Sequence, residues 1–356
     1  YALNLAHDTT DGFNACYSAT GCFGYDPDID GYTNNSVSAQ GGYTFGDALN
    51  VDLRALRAEG ENEYDGSIYA GNEAKTVQQT GGARVRYRAG DIATVTLNIG
   101  QSQDKSRQFY NSVYHSLFRT DRDQGALQAD FNLTGGTLTT GLDWVRDDVE
   151  SDTPYAGTER ITRAAFAQWQ QAIGAHSLQA NLRHDDDSEF GGKTTGSAAY
   201  AYELSPEWRA SASAGTAFRV PTLYQRFSIY GTPDLKAESG RNIEFGLKHD
   251  TPTRHFAVVA YRNRVDNLIT YVSGPGSCIN GTGRLPGCYG NTARAQYRGI
   301  TVSGDQRLGQ TLLRASLDLL DPTDLDSGKQ LARRARQKAT LGAEQRLGAW
   351  QLGADL

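Results

Sequence analysis

The residues best suited to chemistry in this sequence form a short acidic segment near its amino end. Asp26, Asp28 and Asp30 alternate along the chain, and Gly31 follows them directly. This pattern matches the first half of a calcium-binding loop, because a hard cation needs several oxygen ligands and glycine permits a sharp turn. A helix-flanked loop of this kind would close with glutamate at its twelfth position. Val37 stands there, so the remaining oxygens must come from another segment.

A second acidic segment, residues 59–65 with the sequence EGENEYD, is the predicted source of those oxygens. We expect it in the next long loop on the same side of the molecule as residues 26–31. The competing interpretation is a pair of solvated acidic loops in which Asp and Gly form turns. The spacing alone leaves both interpretations open.

The remaining titratable residues form no catalytic arrangement in the sequence. The six histidines are scattered, and the motifs H-E-x-x-H and G-x-S-x-G do not occur. Residues 185–187 are three consecutive aspartates at the end of a predicted strand, where the context favours a polar loop over a metal site or an acid pair. The net charge is −6 and there is no basic tract, which argues against a nucleic-acid partner. We therefore predict that the protein is not an enzyme.

The four cysteines fall into two local pairs, Cys16 with Cys22 and Cys278 with Cys288. Neither pair has the second C-x-x-C or the histidines of a zinc site. Short loops closed by disulfides are typical of an oxidising compartment such as the periplasm or the cell surface. We predict two disulfides, and the alternative is four free thiols.

The elements that position these residues are predicted to be strands. Apolar and polar residues alternate with period two, which gives a strand one apolar and one polar face. Roughly seventeen such segments can be counted, most of about 8–14 residues. No stretch reaches the ~18 consecutive apolar residues of a membrane-spanning helix, and almost no helix is expected. The clearest alternating segments are residues 49–55, 127–131, 178–182 and 313–319.

Short and long connections between these segments alternate along the chain. An up-and-down meander with this property places tight turns at one rim and long loops at the other. Tight turns are predicted at residues 45–47, 89–91, 135–136, 173–175, 308–309 and 347–349. Long polar connections are predicted near residues 9–35, 58–74, 107–122, 147–160, 222–240, 272–292 and 321–331.

The polar faces carry runs of charge, such as Arg84, Arg86 and Arg88, which suit the wet or plugged interior of a membrane barrel. A soluble β-sandwich or lectin, the competing fold, would need bulky apolar residues for a core. The sequence therefore predicts an all-β, transmembrane, antiparallel up-and-down β-barrel.

Three ordered segments carry a resemblance to a known family: residues 215–224 (GTAFRVPTLY), 230–239 (YGTPDLKAES) and 242–246 (NIEFG). They resemble the conserved barrel segment of TonB-dependent outer-membrane receptors, and residues 260–269 and 297–300 continue the likeness. Within that family the chain is most similar to cobalamin transporters. Matching order and spacing are found at residues 12–14, 28–31, 64–65, 183–186 and 331–335.

The resemblance implies a barrel of about 22 strands, of which the chain supplies roughly seventeen as a single receptor barrel domain spanning residues 1–356. It implies an outer-membrane location with the long loops extracellular. It also implies that a plug domain, two strands before Tyr1 and further strands after Leu356 belong to the complete receptor. We therefore expect this chain to be a barrel fragment.

The resemblance also implies a site. Family members bind calcium in two extracellular loops that order the surface receiving the cobalamin. Asn14 and Asn72 stand where the family can have carboxylates, and each amide removes a negative charge, which should weaken calcium binding. Arg333 matches a substrate-contacting position, although it could equally face the lumen and meet the plug. The implied calcium ligands are Asn14, Asp26, Asp28, Asp30, Tyr64, Asp65 and Asn72.

The implied function is active import of cobalamin or a related corrinoid by a monomer in outer-membrane lipid, energised through TonB. One alternative keeps the fold and changes the ligand, to a ferric siderophore or another metal chelate. The alternative from another class is a passive porin or a barrel-borne surface hydrolase.

Overall fold

The computed structural model describes residues 1–14, 16, 24–273 and 287–356, apart from the side chains of residues 292 and 293. The described chain forms seventeen strands and one short helix. The first nine strands are β1 (Ala2–Phe13), β2 (Asp30–Phe45), β3 (Leu49–Ser67), β4 (Gly71–Ala89), β5 (Ala93–Tyr110), β6 (Val113–Leu133), β7 (Gly136–Ser151), β8 (Glu159–Ile173) and β9 (His176–Asp187). The rest are β10 (Gly191–Glu203), β11 (Trp208–Arg219), β12 (Glu238–Thr251), β13 (Arg254–Ser273), β14 (Gly287–Leu308), β15 (Thr311–Asp324), β16 (Gln337–Leu347) and β17 (Trp350–Asp355), with helix α1 (Leu223–Phe227) between β11 and β12.

Each strand pairs in antiparallel fashion with the strands next to it in the chain. The hydrogen-bonded registers run without a crossover from β1–β2 to β16–β17. The predicted antiparallel up-and-down sheet and its strand number are confirmed.

The predicted tight turns all lie at one rim of the sheet, and the longer connections all lie at the other, the long-loop rim. Each of these tight turns is found between two strands, as predicted. Gly46 and Gly174 both have a φ of 59°, a left-handed conformation that residues with a Cβ rarely adopt. Longer connections span residues 14–29, 152–158, 220–237, 274–286 and 325–336. All of the fourth and residues 15 and 17–23 of the first lie outside the described residues.

Two predicted long connections are wrong. Residues 58–74 form the tops of β3 and β4 joined by a turn at 68–70, and residues 107–122 form the tops of β5 and β6 joined at 111–112. The end of the β3–β4 hairpin is mostly polar on both faces, whereas the β5–β6 hairpin has apolar residues on both faces, such as Leu117 and Phe118. Neither hairpin end therefore shows the alternation of one apolar and one polar face, although its backbone hydrogen bonds continue. Alternation of apolar and polar side chains indicates which face of a strand meets apolar surroundings, whereas pairing between strands requires only backbone hydrogen bonds. A strand can therefore continue where the alternation ends.

The two faces of the sheet differ as predicted. The apolar residues of the alternating pattern are exposed, with Leu53 at 58%, Leu142 at 58% and Phe245 at 61%. The opposite face carries the polar residues, among them Gln170 of β8 and Glu244 of β12, which line one cavity of about 690 Å³. We call the apolar face outward and the polar face inward. An exposed band of apolar side chains suits contact with lipid.

Helix α1 is a single turn at the long-loop rim. Thr222 caps it, accepting a hydrogen bond from the backbone of Gln225, whose side chain accepts one from the backbone of Thr222 in return. No helix in the described part of the chain is long and apolar enough to cross a membrane.

Candidate functional site

Asp26 is the centre of the predicted cation site. Its backbone N–H donates to Asp65 Oδ1 at 2.8 Å, which ties the β1–β2 connection to the top of β3. Its carboxylate Oδ2 accepts from Asn72 Nδ2 at 3.0 Å, and its carbonyl oxygen accepts from Asn14 Nδ2 at 3.3 Å. The structure therefore brings Asn14, Asp26, Asp65 and Asn72 together across two connections, and we call this group with Asp28 and Asp30 the acidic cluster.

The carboxylates of the acidic cluster repel one another. Partial desolvation raises the pKa of Asp28, and the nearby charges of Asp26, Asp30 and Glu63 raise it further. Glu63 also accepts a hydrogen bond from the backbone N–H of Gly31 at 3.2 Å, which places the β3 acids beside the Asp-rich segment. Like charges held this close favour binding of either a proton or a cation.

One oxygen of the cluster lacks a partner. Asp65 Oδ2 is buried and accepts no hydrogen bond from the described residues. A buried charged oxygen without a partner is costly, and a hard cation supplies what such an oxygen needs. Among the described residues, no group of three His, Cys, Asp or Glu side chains is close enough together to hold a metal ion. The carboxylate and amide oxygens of the cluster are the kind of ligand that calcium prefers. To bind the ion together, the carboxylates would have to move closer to one another.

Tyr64 and Asn111 make contacts at this site that the sequence did not predict. The Tyr64 hydroxyl donates to the carbonyl oxygen of Ala70 at 3.2 Å, which closes its own hairpin turn. Asn111, which the sequence did not single out, exchanges two hydrogen bonds with Asn72, at 3.1 and 2.9 Å. The β5–β6 turn thus buttresses the cluster, and no residue pattern in the sequence indicated that contact.

Two of the four cysteines are described. Cys16 and Cys288 are buried, at 3% and 4% exposure, and neither is a free thiol. Their predicted partners, Cys22 and Cys278, lie outside the described residues. The pairing of the two disulfides stays a prediction.

Arg333 lies in the 325–336 connection at the long-loop rim. It is exposed and has a φ of 57°, and its carbonyl oxygen accepts from Arg334 Nη1 at 3.2 Å. Its role toward a ligand stays a prediction.

The connection of residues 220–237, here called the mouth segment, is anchored to the inner wall by buried charge. The Arg160 Nη1 of β8 donates to the carbonyl oxygen of Pro221 at 2.6 Å. The Arg160 guanidinium lies 3.8 Å from Asp187 and 3.9 Å from Glu189, and the side chains of Arg160 and Asp187 are only 10% and 1% exposed.

Arg226 of helix α1 adds a second anchor. Its guanidinium pairs with Glu189 and donates to the carbonyl oxygen of Pro233 at 2.9 Å. It also stacks over the rings of Phe190 and Phe227, at 5.1 and 4.6 Å from their centroids. The mouth segment is therefore held from β8, from the β9–β10 turn and by its own backbone.

The three aspartates at residues 185–187 belong to β9, so the predicted polar loop is wrong for them. Asp185 pairs with Arg183 at 2.9 Å. Asp187 accepts from the Thr162 hydroxyl and from two backbone N–H groups of the following turn, at 2.8 to 3.2 Å. The strand continues because its backbone stays paired, while the inward carboxylates of Asp185 and Asp187 find partners.

Six aromatic residues form a continuous series of edge-on or tilted contacts at the same rim. We call them the aromatic row: Phe118, Tyr155, Tyr224, Tyr230, Tyr271 and Tyr289. Neighbouring ring centroids are 5.6 to 6.4 Å apart. The row joins β6, the 152–158 connection, the mouth segment and the β13–β14 pair.

Burial shapes the chemistry of the aromatic row. It raises the pKa of Tyr155 to about 12 and also raises the pKa of Tyr224. Both phenols therefore stay neutral at physiological pH and offer apolar ring faces with a polar tip. The sequence did not predict the row because its members are far apart in the chain. Only Tyr224 and Tyr230 lie within the segments that carry the family resemblance.

Comparison with known proteins places the fold and the family. The family model described as TonB dependent receptor-like, beta-barrel matches residues 2–356. The vitamin B12 transporter BtuB of Photobacterium profundum is 29% identical over 357 residues, which cover 98% of this chain and 57% of that protein. The chain thus spans less than two thirds of the length of this curated relative.

Solved structures share the fold at lower identity. The copper transporter OprC superposes with a TM-score of 0.77 at 17% identity, over 99% of this chain and 61% of that chain. The FrpB iron transporter from Neisseria meningitidis (F3-3 variant) superposes with a TM-score of 0.76 at 14% identity, over 99% of this chain and 63% of that chain. At these identities the likeness concerns the fold.

Proposed function

Because the chain belongs to the TonB-dependent receptor-like β-barrel family, we propose that it forms the wall and capture loops of an outer-membrane transporter importing cobalamin or a related corrinoid. Energy would reach it through TonB, and the long-loop rim would face outside the cell. The relatives named above are transporters, and no bond-making chemistry is assigned to this chain.

The observation that carries the choice of ligand is the match to the vitamin B12 transporter along 98% of the chain. That length includes both acidic segments, the mouth segment and Arg333. The orphaned Asp65 Oδ2 and the hydrogen-bonded contact between Asp26 and Asp65 add physical support for calcium in the capture surface.

Calcium would be held by oxygens of Asp26, Asp28, Asp30 and Asp65, with the amides of Asn14 and Asn72 and the Tyr64 hydroxyl available at the margin. When bound, it supplies positive charge that offsets the repulsion among these carboxylates. The chain's own part is to hold the 24–31 segment against the tops of β3 and β4 through Asp26, Asp65 and Asn72. A loop ordered before the ligand arrives loses less conformational entropy on binding.

The aromatic row would supply the apolar half of the capture surface. Its rings converge from four elements that are far apart in sequence, and neutral phenols offer hydrogen bonds without a charge. A corrin ring with amide side chains needs both kinds of contact. The mouth segment, fixed by Arg160 and Arg226, holds Tyr224 and Tyr230 in place.

The test is cobalamin binding by the purified protein with calcium, with a chelator, and after the double substitution Asp28→Ala/Asp30→Ala. We expect chelation and the double variant to weaken cobalamin binding by similar factors, on the order of 5–150-fold. Asp47→Ala/Asp91→Ala, which removes two acids from tight turns at the opposite rim, serves as the matched control. Cobalamin affinity that is unchanged in chelator would refute the calcium role.

A ferric or other metal chelate is the second candidate ligand. It is favoured by the similarity of the fold to a copper transporter and an iron transporter. Competition between cobalamin and ferric siderophores for the purified protein distinguishes the two, because only the true ligand should bind with high affinity.

A further inference from the structure

The outward face of β12, β13 and β14 carries a group of arginines at one height. Arg241 pairs across the strands with Arg264, and Arg262 pairs with Arg298. All four are exposed, as is Arg336, which reaches the same place from the 325–336 connection. We call these five residues the arginine patch.

These arginines lie just beyond the apolar band. Toward the long-loop rim, Arg262 and Arg298 are the next outward-facing residues after Ala260 and Ile300 on their strands. On β12, Arg241 is the second outward-facing residue after Phe245 in the same direction. Ile300 and Phe245 are 45% and 61% exposed. A band of alternating apolar residues on a barrel corresponds to the lipid interior, so the patch lies at its border on the long-loop side.

The patch holds more positive charge than its surroundings neutralise. Directly opposed like charges destabilise a strand pair. Arg298 pairs with Asp321 at 2.8 Å, and Asp266 is the other acid on this face, at the next outward position of β13 beyond Arg264. The Nε groups of Arg262 and Arg264 both donate to Gln296 Oε1, at 2.8 and 3.2 Å, which fixes the two side chains side by side.

Two other outward arginines at this rim have carboxylate partners. Arg57 lies 2.6 Å from Glu59, and Arg146 lies 2.7 Å from Glu159. Among the described residues, Arg241, Arg262 and Arg264 have no carboxylate within 4 Å. Outward Arg107 and Arg163 likewise have no carboxylate within 4 Å among the described residues. The patch differs from them because Arg241, Arg262 and Arg264 lie together on two adjacent strands.

An apolar groove opens directly beneath the patch. It has a volume of about 760 Å³, and Arg262, Arg298 and Arg336 border it. A second groove of about 850 Å³ continues down the outward face between β13 and β17, lined by apolar residues that include Phe256, Val302 and Leu341. The apolar residues of the upper groove are Ile243, Phe245, Ala260, Ile300 and Leu319.

We propose that the outward face of β12–β16 is a binding site for a phosphate-bearing acyl lipid of the outer leaflet. The guanidinium groups bind the phosphate oxygens, for which the planar fork of arginine is suited. The acyl chains occupy the two grooves below. The site depends on the barrel lying in a membrane, and it does not depend on which ligand the lumen receives.

The test measures retention of bis-phosphorylated lipid A, a phosphate-bearing acyl lipid, on the protein in nonionic detergent by native mass spectrometry. Arg262→Gln/Arg298→Gln should weaken this binding about tenfold or more, because each arginine near a membrane surface contributes substantially to anionic lipid binding. Arg57→Gln/Arg146→Gln removes the same charge from outward arginines that already have partners, and it should bind lipid as the parent protein does.

Three outcomes would overturn the proposal. They are equal retention by the double variant and the parent, equal retention of lipid A from which the phosphates have been removed, and displacement of the lipid by inorganic phosphate at the same concentration. Should the double variant fail to fold, the comparison of phosphorylated with dephosphorylated lipid on the parent protein decides the question alone.

Discussion

The mouth segment and the acidic cluster lie at the same rim and satisfy their charges in opposite ways. In the mouth segment, Arg160 and Arg226 meet Asp187, Glu189 and two backbone carbonyl oxygens of residues 220–237. In the acidic cluster, carboxylates face other carboxylates, and Asp65 Oδ2 is left without a donor among the described residues.

This difference in charge pairing indicates which of the two segments keeps its conformation without a bound cation. A segment whose buried charges are paired within the chain keeps its shape without help. A segment whose charges repel needs something from outside, and its order then depends on the concentration of that partner. We therefore expect the mouth segment to be constant and the acidic cluster to be conditional on a cation.

The largest effect is expected from Arg160→Met. The substitution leaves the buried Asp187 without its cation and the Pro221 carbonyl oxygen without its donor, which typically costs about 3–5 kcal/mol. Denaturant unfolding followed by tryptophan fluorescence measures the loss, and amide exchange in residues 220–237 should rise with or without calcium. Arg146→Met, which breaks an exposed pair with Glu159, is the matched control and should cost less than about 1 kcal/mol. An equal loss in both variants would contradict the anchoring role.

A smaller effect, confined to the acidic cluster, is expected from Asp65→Asn. The amide oxygen keeps the hydrogen bond from the Asp26 backbone, while the unpartnered carboxylate oxygen is replaced by a donor. Without calcium, the free energy of unfolding should stay within about 0.5 kcal/mol of the parent value. Calcium affinity, measured by titration calorimetry, should fall about tenfold, because one anionic ligand is lost. A variant that binds calcium as well as the parent would place the cation elsewhere.

The smallest effect is a dependence on pH. Because the folded-state pKa of Asp28 is raised, its contribution to stability is present below its unfolded pKa and is lost as pH rises through the folded value. Without calcium, the 24–31 segment should therefore become more protected as the pH falls from neutral. Calcium affinity should change in the opposite direction, by at most about tenfold per pH unit for one competing proton.

Asp28→Asn should flatten both trends, and exchange in the mouth segment serves as the internal reference. A pH dependence of equal size in the Asp28→Asn variant would assign it to another group.

The sequence predicted the sheet better than the rim. Segments such as 49–55 and 313–319 show their strand nature because one face meets apolar surroundings and the other does not. Above the apolar band that contrast disappears, so residues 58–74 and 107–122 were predicted as loops although their backbones remain paired.

The site was predicted where its residues are close in sequence and missed where they are not. Asp26, Asp28 and Asp30 form a recognisable pattern, and their contact with Asp65 was expected from the meander. Asn111 and the aromatic row depend on distances across the mouth that no local spacing encodes. The sequence shows which residues are charged, but it does not show which of them meet. Tertiary packing places Asp187 beside Arg160 and leaves Asp65 Oδ2 without a donor among the described residues.

The exclusive pairing of chain neighbours bears on how the sheet can assemble. Every ladder from β1–β2 to β16–β17 joins two strands that follow one another in the chain, so the contacts that define the architecture have a short separation along the chain for so large a sheet. Loop-closure entropy grows with the length of chain to be closed, and topologies rich in local contacts fold faster. Growth by successive addition of hairpins to an existing edge therefore meets a small entropic barrier at each step, and a block at one hairpin should stall everything that follows it in the chain.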